Sequence, residues 1–141
     1  MMLELDEIWL LHESGICLFN YAVDYRMDPT LFGSFFTAIN QFGQECAHNS
    51  IDDITMGENF VLSHKMPDYP LKIVGRSTKT KKRKEMKKML QNIGEIFRSQ
   101  YSPEDIIQFD GRIDKFDNFK LLVENFFNKQ AQLVEIFKAI F

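Results

Sequence analysis

The apolar positions of the chain begin with a period of two. Between Glu7 and His12, Trp9 and Leu11 alternate with Ile8 and Leu10, and both sets are apolar, which predicts a strand covered on two faces. From Ile16 to Val23, Cys17, Phe19, Tyr21 and Val23 alternate with Ile16, Leu18, Asn20 and Ala22. Glu13-Ser14-Gly15 supplies the tight turn between them, so the two strands read as a hairpin. At Asp28 the period changes. Phe32, Phe35, Phe36, Ile39, Phe42 and Cys46 recur at spacings of three and four, which predicts a helix over 28–46 with one aromatic stripe packed on a sheet. Asp28 is placed to accept hydrogen bonds from the first free N–H groups, and Pro29 suits the first helical position. Gly33 is disfavoured there by about 1 kcal/mol relative to alanine, which predicts the close approach of another backbone. Ser34, Thr37, Asn40, Gln41 and Gln44 form the opposite, polar face, a candidate recognition surface.

Short runs return after Asn49-Ser50: Ile51 to Met56, Phe60 to His64 and Leu71 to Val74, separated by Gly57-Glu58-Asn59 and by Met66-Pro67-Asp68-Tyr69-Pro70. They predict an antiparallel meander whose middle strand is covered on both sides. Residues 79–101 resume the helical period, with Met86, Met89, Leu90, Ile93, Ile96 and Phe97 on one face. Tyr101-Ser102-Pro103-Glu104-Asp105 ends that helix, and Ile106, Ile107 and Phe109 predict a loop or short turn docked on the core. A last helix is expected from Asp114 or Asp117 to Phe141. Its main stripe is Phe116, Phe119, Leu122, Phe126, Leu133, Phe137 and Ile140, widened by Val123, Phe127 and Val134. At about 1.5 Å per residue this helix would be about 37 Å long, so residues 1–141 read as one domain whose C-terminal helix, 117–141, outruns the core. The fold class expected is α/β (α+β) in the order ββαβββαα.

Composition agrees with a packed core: 45% of the 141 residues are hydrophobic, and 14 are phenylalanine. Cys17 and Cys46 fall on predicted buried faces of different elements and read as reduced core thiols. The acidic N-terminus lacks the basic leader of a secretory signal, and no apolar run reaches the roughly 20 residues of a membrane span. A cytoplasmic protein, at most peripheral to membranes, is the expectation. Charge adds an asymmetry. Lys79, Lys81, Lys82, Arg83, Lys84, Lys87 and Lys88 face one acid, Glu85, so +6 sits on a chain of net charge −3 and the remainder carries −9. Cations near a helix N-terminus oppose the helix dipole by about 0.3–1 kcal/mol each, so helix stability does not account for the run. It is a candidate patch for an acidic protein or an anionic membrane surface. Nucleic acid is disfavoured, because no aromatic residues are interleaved with the lysines and the body is acidic.

Catalytic constellations are absent from the sequence. His12, His48 and His64 match no metal-binding helix pair, and Ser14 lacks the context of a nucleophile elbow. Asp110, Asp114 and Asp117 miss the spacing of a calcium loop. Gly75-Arg76-Ser77-Thr78-Lys79 imitates a phosphate loop but has Thr78 where a glycine must precede the lysine. No catalytic residue, metal ligand or cofactor site is therefore assigned. Leu133, Val134, Phe137, Ile140 and Phe141 form a candidate homodimer interface at the apolar C-terminus.

The element order, together with Ile8-Trp9-Leu10-Leu11, the turn ending Ser14-Gly15, and Ile16-Cys17-Leu18-Phe19, resembles the longin domain and related roadblock-type proteins, including short stand-alone archaeal ones. The resemblance runs from about Glu7 to Phe127 and rests on apolar patterning. It implies a profilin-like layout: a five-stranded antiparallel sheet with one helix on one face and two on the other. It also implies a noncatalytic adaptor that binds a small GTPase or a sister longin or roadblock subunit in a trafficking or GTPase-regulating complex. No heptad tract or anchor follows in this sequence, so it implies no fusion activity of the SNARE kind, and no family catalytic residue is transferred.

Overall fold

The computed structural model describes residues 5–22, 28–48, 52–77 and 83–140. Strands β1 (Glu7–His12), β2 (Cys17–Ala22), β3 (Asp53–Met56), β4 (Asn59–Lys65) and β5 (Leu71–Ser77) form one sheet in the order β2-β1-β5-β4-β3. All four pairings are antiparallel. The two strands with apolar residues on both faces, β1 and β4, are internal, where each face can be covered. Helix α1 (Pro29–Ala47) follows the hairpin; α2 (Arg83–Gln100), a short α3 (Pro103–Ile107) and α4 (Asp117–Ile140) follow the meander. The loop or short turn expected around Ile106 is this short α3, capped reciprocally by Ser102 and Asp105, with Ile106 as its buried anchor.

The sheet divides the core. On one face Ile8, Leu10, Phe60, Leu62, Leu71 and Ile73 pack against α2, α3 and α4. On the other, Trp9, Leu11, Val61 and Val74 pack against Phe32 and Phe36 of α1. Trp9 and Phe32 stack with ring centroids 3.8 Å apart. Helix α2 lies over β4 and β5, and α4 beside α2 and over β2. Phe119 meets Phe19 edge-on, and Phe127 stacks on Tyr21. The buried line of α4 is Phe119, Val123 and Phe127, continued by Phe116 of the preceding 3-10 turn, whereas Leu122 and Phe126 of the expected stripe are half-buried.

The hairpin departs from simple alternation. Leu10 lies opposite Phe19 but Leu11 opposite Cys17, so Leu18 is an extra residue in β2. The bulge changes the phase of the strand: Leu18 joins Phe19 and Tyr21 on the α2 side, and Cys17 turns to the α1 side.

Gly33 fulfils its expectation. A Cβ at this position would lie 2.4 Å from the carbonyl oxygen of Gly15, so α1 rests directly on the hairpin turn. That obstacle is backbone and has little freedom to move. Overpacking costs about 1–3 kcal/mol, and the helical preference of alanine returns only about 1 kcal/mol. Gly33→Ala is expected to lower stability by about 1–2 kcal/mol in urea denaturation; a variant as stable as the parent would contradict this docking.

Candidate functional site

Helix α1 is fixed at both ends. The Asp28 carboxylate accepts from the Thr30 and Leu31 N–H groups, and His48 closes the helix in the left-handed region at φ 57°. Its rotation differs from the expectation. Only Phe32 and Phe36 of the six-residue stripe are buried; they share the inner face with Gly33 and Gly43. Phe35 is 40% exposed, Phe42 66% and Leu31 62%, while Ile39 is half-buried and Cys46 exposed. The helix therefore carries a second apolar line, Leu31, Phe35 and Phe42, facing solvent. The expected polar recognition face is divided: Asn40 turns inward, and Thr37, Gln41 and Gln44 border a cavity beneath the helix.

That cavity, about 560 Å³, lies between α1, the end of β1 and the β4–β5 corner. Its sheet side carries Lys65 and Lys72, which are directly opposite one another on β4 and β5. The half-buried Lys72 Nζ donates to Asn40 Oδ1 at 2.8 Å and stands 5.8 Å from the Phe36 ring centroid. Asn40 is itself oriented, its Nδ2 donating to the Phe36 carbonyl at 3.0 Å. Burial lowers the Lys72 pKa, Asp52 opposes that shift, and Lys65 reinforces it. Sequence reading missed this pair; the available signal is two lysines flanking one turn.

The other candidates are spread over the fold. Gly75, Arg76 and Ser77 belong to β5, so they form no phosphate loop. Arg83 is committed to Asp53 at 3.4 Å and covers the Phe60 ring at 4.0 Å. Lys84 and Lys88 are exposed, Lys87 is half-buried, and Lys79, Lys81 and Lys82 lie outside the described residues. At the C-terminus Ile140 is exposed, whereas the side chains of Leu133, Val134 and Phe137, and all of Phe141, lie outside the described part. Asp114 pairs with Arg112 at 3.0 Å and Asp110 approaches Lys115. No group of three or more His, Cys, Asp or Glu residues that could hold a metal occurs among the described residues. No described helix is long and apolar enough to cross a membrane. Both cysteines are free thiols, but Cys46 is exposed, contrary to expectation. Burial pushes the Cys17 thiol up to about 11, and its Sγ donates to the Phe19 carbonyl, so it is not an activated nucleophile.

The sheet order, with α1 alone on one face and α2 and α4 on the other, is the five-stranded antiparallel layout that the resemblance to longin and roadblock-type proteins implies. Among solved structures the chain is similar to Myxococcus xanthus MglB, at 13% identity and a TM-score of 0.47, covering 67% of this chain and 85% of that one. No protein-family model matches the sequence, and no curated protein does.

Proposed function

We propose that this chain is a noncatalytic interaction scaffold that binds a small GTPase or a sister longin or roadblock subunit in a trafficking or GTPase-regulating complex, using the outer face of α1. The observation that carries this reading is the exposed line Leu31, Phe35 and Phe42 on a helix whose other side is anchored by Phe32, Gly33 and Phe36. A rigidly held helix presenting apolar side chains loses little conformational freedom on binding, and burying those side chains supplies the gain. Attachment to an anionic membrane through Lys79 to Lys88 has less support, because Arg83 is already engaged by Asp53 and Phe60. Of the C-terminal homodimer interface, Ile140 is the residue whose side chain is described, and its exposure is the support for that reading among the described residues.

The test is calorimetric titration of the purified chain with GDP- and GTP-loaded small GTPases and with longin and roadblock domains. A micromolar complex is expected, and Phe42→Asp is expected to weaken it at least about tenfold without lowering the melting temperature. Failure of every such partner to bind, or equal binding by the variant, would falsify the assignment to this face.

A further inference from the structure

The cavity beneath α1 lies on the side of the helix away from that apolar line and poses an electrostatic problem of its own. Lys65 and Lys72 are register partners on neighbouring antiparallel strands. Directly opposite residues place their Cβ atoms about 4.5–5.5 Å apart, where like charges are destabilising. Long lysine stems relieve such a conflict by spreading into water, yet here Lys72 is held back under the helix by oriented Asn40 and lies near Phe36. Among the described residues neither ammonium has a carboxylate within ion-pairing distance. The fold thus holds two cations against one small cavity with no carboxylate of the described residues in direct contact with either.

We propose that this cavity binds a small monocarboxylate, its carboxylate set between Lys72 and Lys65 and its polar body lying along Thr37, Gln41 and Gln44. The volume, about 560 Å³, is in the range of small-molecule sites. Leu11, Phe36, Pro70 and Leu71 furnish apolar wall, and the side-chain amides of α1 offer both donors and acceptors. Glu13 and Glu45 also line the cavity. Their charges disfavour a dianion or polyanion, so the complementary ligand carries one negative charge on an otherwise uncharged, hydrogen-bonding body. Two lysines are point charges without the planar fork that selects a phosphate or carboxylate by geometry; selection here follows from the placement of the two ammonium groups beside one another and from the amides.

The proposal is tested by following the amide and lysine side-chain NMR signals of the full chain during titration with N-acetylglutamine, a monocarboxylate with an amide body. Its uncharged counterpart N-acetylglutaminamide and inorganic phosphate serve as comparisons. Saturable shifts at Lys72, Asn40 and Gln41 are expected with N-acetylglutamine at millimolar concentration. Binding of the uncharged amide is expected to be at least about tenfold weaker, and Lys72→Met is expected to weaken N-acetylglutamine similarly while Lys72→Arg retains it. Should Lys72→Met fail to fold, Lys65→Met, whose side chain is at the exposed end of the pair, carries the same expectation. Absence of saturable shifts, equal affinity for the uncharged amide, tighter binding of phosphate, or indifference to loss of a lysine would each overturn the proposal.

Discussion

Arg76→Met is expected to destabilise the chain by about 3–5 kcal/mol, the cost of leaving a buried charge without its partner. Arg76 and Glu7 are register partners on β5 and β1, with 5% and 1% of their surface exposed. Arg76 Nε donates to Glu7 Oε1 at 3.4 Å, and its Nη1 donates to Asn59 Oδ1 at 3.0 Å. Asn20 Nδ2 donates to the other Glu7 oxygen at 3.3 Å, and Asp6 approaches the guanidinium at 3.8 Å. Methionine fills comparable space but leaves the Glu7 carboxylate desolvated among groups arranged for an ion pair. Pairing the change with Glu7→Met removes that stranded charge, so the double variant is expected to be more stable than Arg76→Met alone. Guanidinium denaturation of the parent, both single variants and the double variant measures the coupling. A loss below about 1 kcal/mol for Arg76→Met would place the pair with ordinary surface ion pairs instead.

The same arginine shows where sequence reading stops. Gly75-Arg76-Ser77 looks like the approach to an anion loop because small and basic residues precede a helix; only the pairing of β5 with β1 reveals that Arg76 already has its anion within the sheet. Side-chain periodicity does establish most of the architecture. Met86, Met89, Leu90, Ile93 and Phe97 of α2 are buried as their spacing predicts, because one apolar line there faces one sheet surface. Helix α1 defeats the same rule for a geometric reason. At about 100° per residue, Phe32 and Phe36 are centred roughly 90° from Phe35 and Phe42, and the spacing of three and four merges the two lines into one. What decides between them is smallness: Gly33 admits the Gly15 carbonyl, and the helix must dock on its glycine side. Hydrophobicity scales do not register that preference. The bulge at Leu18 is hidden for a related reason, since either phase of β2 presents apolar residues to both faces. The lysine pair of the cavity depends on inter-strand register, which is set by the β4–β5 corner as a whole and not by either strand alone.

Phe97→Ala is expected to cost about 3–5 kcal/mol, with aromatic contacts adding roughly 0.5–1.5 kcal/mol where ring pairs are lost. Phe97 is fully buried near the C-terminal end of α2, and its ring centroid lies 4.7 Å from that of Tyr101, 5.1 Å from Phe119, 5.8 Å from Tyr69 and 6.0 Å from Phe116. It joins the β4–β5 corner, the α2 terminus, the 3-10 turn Ile113–Phe116 and α4 in one cluster. Truncation opens a cavity that surrounding rings, each held by another ring, cannot easily fill. Thermal unfolding measures the loss, and hydrogen exchange should show protection falling first in α3 and the start of α4. Helix α1 is anchored to the opposite sheet face through Trp9, Phe32 and Phe36, a separate cluster. Below its melting temperature, Phe97→Ala is therefore expected to retain partner affinity per folded molecule, whereas Phe42→Asp loses affinity and retains stability. If Phe97→Ala instead lowered affinity as strongly as Phe42→Asp while the chain stayed folded, recognition would have to involve the α2 and α4 face, and the outer face of α1 would not be the sole contact.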